Sequence, residues 1–279
     1  MIIDGKGLAQ RRLDTLKLNI QERGISPTLA TVLVGDDPAS ALYVKMKHRA
    51  CEQVGIRSVN VQLSAESSTS DVLDRLRELN ENPDIDGILV QLPLPEKIDT
   101  HQVISSVSPE KDVDGYHPIN MGKLVCGLPG PRSCTPQGIM TILKEYQINT
   151  SGAHAVVIGR SVDVGRPMGL LLLLADATVT LCHSKTKDLS SITKQADILI
   201  SAAGRANIVT ADMVKPGATV IDVGTNHVNG KLCGDVEFDK VSLIAGAITP
   251  VPGGVGPMTI ATLMENTLDA AIHRCGPAQ

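Results

Sequence analysis

The sequence predicts an α/β fold with mostly parallel sheets, divided between two domains. Short apolar segments of strand length alternate along the chain with longer segments of helical periodicity, which is typical of this class. The chain of 279 residues is long enough for two domains whose cores need no disulfide bonds. Because hydrophobic residues make up 42% of the chain and aromatic residues only 1%, we expect an aliphatic core.

The first half of the chain predicts alternating helices and strands, followed by a long irregular segment. Leu13, Leu16 and Ile20 recur on one side of the first helix, which Gly24 ends. Residues 108–133, rich in glycine and proline, are expected to be irregular and functional, since long structureless segments are uncommon in compact domains. The predicted helices are 8–22, 37–54, 71–79 and 135–146, and the predicted strands are 28–34, 59–63 and 87–92.

The second half predicts five strands, a leucine-rich helix after the first of them, and a final amphipathic helix over residues 258–273. The predicted strands are 154–158, 178–182, 197–202, 218–223 and 243–249. This alternation indicates a Rossmann-type, doubly wound domain. We assign residues 1–139 to the first domain and residues 140–257 to the second, and we expect the last segment, 258–279, to return to the first domain.

Charge and composition argue against two classes of partner. The 26 basic and 30 acidic residues give a net charge of −4, which provides no electrostatic surface for nucleic acid. The longest apolar run, residues 168–175, is far shorter than the roughly 20 residues that span a bilayer. No basic segment followed by an apolar one opens the sequence, so we expect a cytoplasmic protein.

The six cysteines are scattered and form no Cys-x-x-Cys pair, which favours reduced thiols over disulfides. They are Cys51, Cys126, Cys134, Cys182, Cys233 and Cys275. His48 lies three residues before Cys51, but no second pair completes a zinc site. We therefore predict no metal centre.

A glycine-containing turn after the strand 154–158 predicts an anion-binding site. Gly159 and Gly165 allow the backbone to turn tightly and to approach a pyrophosphate, and the following helix presents free N–H groups to it. The alternative is a tight strand-to-helix turn without a ligand, because the spacing differs from the common Gly-x-Gly-x-x-Gly. The candidate cofactor residues here are Gly159, Arg160, Ser161, Val164, Gly165 and Pro167.

The end of the next strand favours NADP over NAD as the dinucleotide. An NAD site usually places an acidic residue there, to accept from the ribose 2′-hydroxyl. This strand is followed instead by hydroxyls and a cation, which suit a 2′-phosphate that Arg160 can also reach. The candidates are His183, Ser184, Lys185 and Thr186. The alternative for Lys185 is an ordinary solvated surface lysine.

A polar stripe on the helix 37–54 predicts a second site. At 100° per residue, Ser40, Tyr43 and Lys47 fall within an arc of about 60°. The neighbouring arc, which we expect to face the core, holds Leu42, Met46, Ala50 and Val54. A lysine at such an edge is partly desolvated and suited to proton transfer. The alternative is a lysine whose stem lies along the surface beside an ordinary tyrosine.

Gln91 and the acids of residues 111–115 extend this second site. Gln91 is a lone amide near the carboxyl end of an apolar strand, where ligands bind in open α/β sheets, and it needs hydrogen-bond partners. Asp114 can accept paired N–H donors from a pterin-like ring. Alternatively, Asp112 and Asp114 simply cap turns.

The loop at residues 250–257 is unusually rich in proline and glycine. The N–H groups of Gly253 and Gly254 can line a flat ligand, and the alternative is a structural hinge between domains. Both interpretations are compatible with Pro257 as the first residue of the final helix.

Six motifs in a fixed order resemble the bifunctional methylenetetrahydrofolate dehydrogenase/methenyltetrahydrofolate cyclohydrolase family over essentially the whole chain. Each motif alone has low specificity, whereas six in this order are highly specific. They are Asp37-Pro38-Ala39-Ser40 with Tyr43 and Lys47, Val90-Gln91-Leu92-Pro93-Leu94-Pro95, Lys111-Asp112-Val113-Asp114-Gly115, Cys134-Thr135-Pro136-Gln137-Gly138, Gly159-Arg160-Ser161, and residues 250–259.

The resemblance implies oxidation of 5,10-methylenetetrahydrofolate with NADP, followed by hydrolysis of the methenyl product to 10-formyltetrahydrofolate. It also implies a cytosolic homodimer with a cleft between the domains, folate on one wall and NADP on the other. Lys47 would be the key residue of the hydrolytic step, with Gln91 hydrogen-bonded to it. Tyr43 would stack on the aminobenzoate ring, and Asp114 would hold the pterin.

The resemblance adds further binding residues and marks two departures. The added folate candidates are Ser40, Leu92, Pro93, Pro252, Gly253 and Gly254, and the added NADP candidates are Ala203, Gly204 and Thr225. Asp163 stands where the family often has an aliphatic residue in the dinucleotide loop. Ala203 stands where the family frequently has the threonine of an Ala-Thr-Gly sequence.

Two other functions stay open on the residues alone. The first is an NAD(P)-dependent dehydrogenase of another small substrate, without cyclohydrolase activity. In that case the polar stripe and Asp114 would have no functional role. A nucleotide-sensing module without enzymatic activity would explain the glycine turn but would leave the stripe unused.

Overall fold

A computed structural model describes residues 1–228 and 230–275, without the side chain of Cys275. The chain divides into two compact units. The three-stranded unit comprises Arg11–Cys134 and the C-terminal residues from Ile260 onward, and the five-stranded unit comprises Met1–Gln10 and Thr135–Thr259.

Helices and parallel strands alternate along the chain, which confirms the predicted α/β class. The helices are α1 (Gly5–Arg23), α2 (Pro38–Val54), α3 (Thr69–Glu81), α4 (Thr100–Ser106), α5 (Pro118–Val125), α6 (Cys134–Glu145), α7 (Gly165–Leu174), α8 (Leu189–Thr193), α9 (Phe238–Val241) and α10 (Val255–Cys275). The strands are β1 (Thr28–Val34), β2 (Arg57–Leu63), β3 (Gly87–Val90), β4 (His154–Ile158), β5 (Thr178–Cys182), β6 (Ile198–Ser201), β7 (Thr219–Asp222), β8 (Asn226–Val228), β9 (Lys231–Cys233) and β10 (Ala247–Ile248).

The three-stranded unit is built on a parallel sheet with β1 in the centre, in the order β2-β1-β3. Every residue of β1 is buried, and its apolar side chains contribute to an aliphatic core with residues of α3 and α4. Carboxyl ends of parallel strands share one edge, so the segments that follow β1 and β3 begin close together. That edge therefore holds the start of α2 and the side chain of Gln91.

Helix α2 has well-defined ends. The Asp37 carboxylate accepts a hydrogen bond from the Ser40 N–H at 2.7 Å, which lowers the pKa of Asp37, and Pro38 occupies the first turn. Gly55 follows the last turn and donates its N–H to the Cys51 carbonyl at 2.9 Å. These caps fix the segment that carries Lys47.

The buried face of α2 differs from the predicted one. Leu42 and Met46 are 58% and 40% exposed, so the prediction that both face the core is wrong. The buried residues are Ser40, Val44, Ala50, Cys51 and Val54. Helical periodicity gives the relative directions of side chains, whereas the choice between two adjacent apolar arcs depends on which one meets the sheet.

Residues 108–133 are partly helical, so the prediction that they are irregular throughout is wrong. Helix α5 lies within them, capped by His117, whose Nδ1 accepts from the Ile119 N–H at 3.1 Å. The buried Asp112 carboxylate accepts from the N–H groups of Gly115 and His117 at 3.0 and 2.8 Å, and from the Asn120 amide at 2.9 Å. Polar contacts organise this segment, and apolar periodicity cannot reveal them.

The five-stranded unit contains a parallel sheet in the order β10-β7-β6-β4-β5, which agrees with a Rossmann-type domain. Ile158 pairs with Cys182 on one side and with Ser201 on the other, and Ser201 pairs with Asp222. Four strands therefore end at one level. The loops that follow them, 159–161, 183–186, 202–204 and 223–225, lie along a single edge.

The first ten residues belong to the five-stranded unit, whereas the sequence placed residues 1–139 together. Ile2 bridges Ile248, and the Ile3 N–H donates to the Ile248 carbonyl at 2.8 Å. This pairing joins residues 245 positions apart and adds the N-terminus beside β10.

Several short elements were predicted with wrong bounds or were not predicted from the sequence. The predicted strand 243–249 is wrong in extent: only Ala247–Ile248 is a strand, and Leu243 is 84% exposed. Helices α4, α8 and α9 and the antiparallel hairpin of β8 and β9 were not predicted, because each is too short to show a period. Among the described residues, no helix has the length and apolar character needed to cross a membrane.

Candidate active site

Lys47 and Gln91 meet at the carboxyl edge of the three-stranded sheet. The Lys47 Nζ donates a hydrogen bond to the Gln91 Oε1 at 2.9 Å. Gln91 is buried, and its Nε2 donates to the Leu92 carbonyl at 2.6 Å. Since Leu92 holds the donor end of this amide, the acceptor end must face Lys47. A buried neutral amide thus helps to fix the position of the amine.

The polar stripe of α2 extends from the core to solvent. Ser40 is buried, Lys47 is half-buried, and Tyr43 is 39% exposed. Leu92 and Pro93 follow Gln91 directly, are joined by a cis peptide bond, and are half-buried and exposed respectively. A partly exposed aromatic ring beside a half-buried amine offers a stacking surface next to a polar group.

The two acids of residues 111–115 have different environments. Asp112 is buried and accepts from the backbone and from Asn120, as the loop of residues 112–117 requires. Asp114 is half-buried. The alternative that these acids cap turns therefore holds for Asp112, whereas the Asp114 side chain is partly accessible to solvent.

A buried thiol lies near both Asp114 and Lys47. Burial raises the pKa of Cys134 well above its usual range, the negative charge of Asp114 raises this pKa further, and the Lys47 ammonium lowers it. The thiol also donates to the carbonyl of Val113, the residue before Asp114, at 3.3 Å, so Asp114 is its neighbour in space, and the charge of Lys47 acts on the same sulfur. The structure thus brings together Lys47, Gln91 and Asp114 in the three-stranded unit.

The turn after β4 requires glycine for packing. Gly159 has φ +139°, and a Cβ there would lie 2.4 Å from the Ala202 carbonyl oxygen. A Cβ on Gly165 would lie 2.4 Å from the Gly159 carbonyl oxygen. The Ser161 Oγ accepts from the Gly165 N–H at 3.3 Å, so N–H groups at the start of α7 point into this turn. Val164 and Asp163 are half-buried, and Pro167 is buried in the first turn of α7.

The loop after β5 presents a cation and a hydroxyl. The Thr186 Oγ1 accepts from the His183 N–H at 2.8 Å, and the His183 Nδ1 accepts from the Lys185 N–H at 3.1 Å. These internal bonds hold the loop while Ser184 and Lys185 stay exposed. Arg160 is exposed after the adjacent strand, and residues 183–186 contain no carboxylate. This donor set fits the 2′-phosphate of NADP.

The loop after β6 is held by a buried carboxylate. Asp235 accepts from the N–H groups of Ala203 and Gly204 at 2.7 and 3.2 Å, and from the Arg205 N–H at 2.9 Å. Any contact of Ala203 or Gly204 with a cofactor would therefore use other atoms. Thr225, the candidate after β7, is exposed.

A second buried acid, Asp222, supports Asp235. Its carboxylate accepts from the N–H groups of Gly224, Asp235 and Val236 at 2.9, 2.9 and 3.0 Å. Burial raises the pKa of Asp222 to about 6, against the opposing effect of these N–H donors. The two acids join the ends of β6 and β7 to the residues that follow β9.

The loop of residues 250–257 is packed within the five-stranded unit. The Gly253 carbonyl accepts from the Lys6 N–H at 2.8 Å. Gly254 is buried, and a Cβ on it would lie 2.5 Å from the Pro250 carbonyl oxygen, whereas Pro252 is exposed. Close backbone packing therefore accounts for Gly254 and a φ of +103° for Gly253, and their contact with a flat ligand stays a prediction.

Thiols and metal ligands are dispersed in the part of the chain that the structure describes. Cys51, Cys126, Cys134, Cys182 and Cys233 are free thiols, and the Cys275 side chain lies outside the described residues. Within residues 1–228 and 230–275, no three His, Cys, Asp or Glu side chains are placed to hold a metal ion.

Two family models match the chain. Residues 3–114 match the model described as tetrahydrofolate dehydrogenase/cyclohydrolase, catalytic domain, and residues 133–275 match the NAD(P)-binding domain of the same name. The chain belongs to the tetrahydrofolate dehydrogenase/cyclohydrolase family. The catalytic-domain match includes Lys47, Gln91 and Asp114, and the NAD(P)-binding match includes the turn at Gly159.

Known relatives cover almost the whole length of this chain. The bifunctional protein FolD of Methanospirillum hungatei is 72% identical over 276 residues, 99% of each chain. The solved bifunctional FolD enzyme of Campylobacter jejuni has a TM-score of 0.96 at 49% identity, covering 98% of this chain and 99% of that one. The FolD structure of Trypanosoma brucei, complexed with NADP cofactor and inhibitor, has a TM-score of 0.94 at 36% identity, covering 100% and 99%.

Sequence reasoning missed the two buried acids of this family member. Asp222 ends an apolar strand, and Asp235 precedes Val236 in a short segment without a clear period. A carboxylate at the end of a buried strand must be hydrogen-bonded or neutral, and that rule singles out Asp222. No comparable local signal identifies Asp235, because the donors to its carboxylate come from two separate segments, residues 201–205 and Asn226.

Proposed function

We propose that this protein oxidises 5,10-methylenetetrahydrofolate to 5,10-methenyltetrahydrofolate with NADP and hydrolyses the product to 10-formyltetrahydrofolate. The observation that carries this proposal is the buried Gln91 amide, which orients the Lys47 amine near Asp114. A dehydrogenase of another substrate would need no such arrangement. The family match supports the same reaction pair.

The three-stranded unit binds the folate. The partly exposed Tyr43 ring stacks on the aminobenzoate ring, and the half-buried Asp114 carboxylate accepts from the N–H donors of the pterin. Ser40, Leu92 and Pro93 complete the surface around them.

Lys47 moves protons in the hydrolytic step. Water attacks the methenyl carbon, and the C–N5 bond breaks as the formyl group remains on N10. The Lys47 amine takes a proton from the attacking water and gives one to N5, with one proton released overall. Gln91 keeps the amine in one position through both transfers, which avoids reorganisation during the reaction.

The five-stranded unit binds NADP, which when bound accepts the hydride of the methylene carbon. Arg160 and Lys185 bind the 2′-phosphate with the help of Ser184 and Thr186. The Gly159 turn and the positive end of the α7 dipole receive the pyrophosphate. Because hydride transfer needs no proton relay, the main contribution of these residues is binding and orientation.

Parallel assays of the two half-reactions test the proposal. Methylenetetrahydrofolate should generate reduced cofactor faster with NADP than with NAD, and methenyltetrahydrofolate should be hydrolysed without cofactor above the uncatalysed rate. A folded sample that performs neither reaction would exclude the proposed function. Cofactor reduction without hydrolysis would leave only a dehydrogenase.

We further propose a cytosolic homodimer, as the resemblance implies. Light scattering should give twice the 29.5 kDa mass of the chain. Cell fractionation should recover the protein with the cytosol, and a monomeric mass at micromolar concentration would contradict the dimer.

A further inference from the structure

We propose that Asn266 is a positioning residue for Asp114. The inference rests on the proposed function, because it takes Asp114 as the group that holds the pterin. Asn266 lies on α10, more than a hundred residues along the chain from Asp114, and is half-buried. Its side-chain amide contacts Val113, the residue before Asp114, and also Arg132.

The Asn266 amide joins two backbone segments. Its Nδ2 donates to the Val113 carbonyl at 2.8 Å and to the Arg132 carbonyl at 3.1 Å. A primary amide carries two N–H donors, and these two carbonyls can occupy both. The Cys134 sulfur lies 3.6 Å from the same nitrogen. One side chain thus holds residue 113 against residues 132–134.

The other neighbour of Asp114 packs against the same segment. Gly115 has φ +73°, and a Cβ on it would lie 2.5 Å from the Arg132 carbonyl carbon and 2.6 Å from the Ser133 nitrogen. The Cys134 Sγ adds a hydrogen bond to the Val113 carbonyl at 3.3 Å. Asp114 is therefore the residue between two positions that are both anchored to 132–134.

This anchoring decides where the Asp114 carboxylate points. Loss of the amide would remove this donor from the Arg132 carbonyl, would leave the Val113 carbonyl with only the weak Cys134 thiol donor, and would allow the two segments to separate. Small displacements of a group that binds a rigid ring weaken binding strongly, because paired hydrogen bonds need their geometry. Asn266 acts on the folate through the backbone and does not itself contact the ligand.

Steady-state kinetics of Asn266→Ala test this role. We expect the KM for the folate substrate to rise about tenfold in both half-reactions, with kcat changed by less than about threefold. The Kd of NADP, measured without folate, should stay unchanged. Asn266→Ser, which keeps one donor in a smaller side chain, should give a smaller rise and supplies a second variant if Asn266→Ala does not fold.

Asn80→Ala is the matched control. Asn80 makes the same kind of clamp in the same unit, donating to the Ser106 carbonyl at 2.7 Å and accepting from the Ser108 N–H at 2.8 Å. Its loss should lower the melting temperature without raising the folate KM. An equal rise in KM in both variants would overturn a specific role for Asn266.

A double-mutant cycle with Asp114→Ala separates positioning from general destabilisation. If Asn266 acts through Asp114, the Asn266→Ala change should raise the folate KM by less than about twofold in the Asp114→Ala background. Additive effects would refute the inference. A wild-type protein with neither activity would refute the proposed function instead, whereas an active wild type with an unchanged KM in Asn266→Ala would refute only the positioning role.

Discussion

The two units hold their candidate residues in different ways. In the three-stranded unit, the groups expected to do chemistry are side chains oriented by other side chains, as Gln91 orients Lys47. In the five-stranded unit, loops at the strand ends present backbone groups and exposed side chains such as Lys185, and the buried acids Asp222 and Asp235 hold two of these loops. Single substitutions should therefore affect activity first in the three-stranded unit and stability first in the five-stranded unit.

The largest expected effect is that of Lys47→Met on hydrolysis. Removing the amine eliminates the proton relay, so the hydrolytic kcat should fall by about 10³-fold, while the melting temperature should change little. Hydrolysis of the methenyl compound, followed by its absorbance, is the measurement. Lys45→Met is the control, because Lys45 is exposed on the same helix. A comparable fall of the hydrolytic kcat in both variants would show that Lys47 has no specific role in hydrolysis.

Asp235→Ala should instead reduce stability. The substitution leaves the N–H groups of Ala203, Gly204 and Arg205 without an acceptor, so the free energy of unfolding should fall by about 4 kcal/mol. Urea unfolding with Asp239→Ala as the exposed control measures the difference. A loss of hydride transfer at unchanged stability would contradict the proposed contrast between the units.

The pH dependence of the unfolding free energy should reveal the titration of the Asp222 carboxyl group. Its folded pKa of about 6 exceeds the ordinary value of 3.8, so its contribution to stability is present below pH 3.8 and is lost as the pH rises through 6. The difference between the two pKa values corresponds to about 3 kcal/mol of stability. The difference in unfolding free energy between wild type and Asp222→Asn should change over this window, and a constant difference from pH 4 to pH 7 would show that the carboxyl titrates normally.

The smallest expected effect is that of Lys185→Ala on cofactor affinity. Losing one cation beside the 2′-phosphate should raise the Kd of NADP about tenfold and leave the Kd of NAD unchanged. Titration calorimetry with both dinucleotides measures this selectivity. Lys187→Ala is the control, since Lys187 is also exposed but lies outside the candidate set. If the substitution raises the Kd of NADP and of NAD equally, Lys185 does not contact the 2′-phosphate.

Much of the fold and of the candidate residues follows from local sequence. The strands 28–34, 154–158 and 178–182 have the predicted limits, because short runs of apolar and β-branched residues bounded by turn residues mark strands. This holds for the fully buried β1 and also for β5, which is mostly exposed or half-buried. The motifs also identified the family correctly. The rule that ligand groups gather at the carboxyl ends of parallel strands placed Gln91 beside the start of α2, and the family resemblance implied its hydrogen bond to Lys47.

Local sequence is enough to set the alternation of helices and strands, the capped ends of α2 and the glycines of the turn after β4, since each depends on residues a few positions apart. Long-range packing sets which arc of α2 is buried, the helix over residues 118–125, and the hydrogen bonds by which Asp235 holds the loop after β6. The two groups differ in how far apart along the chain the determining residues lie. Periodicity and capping are local, whereas the phase of a helix and the donors of a buried carboxylate depend on segments that only folding brings together.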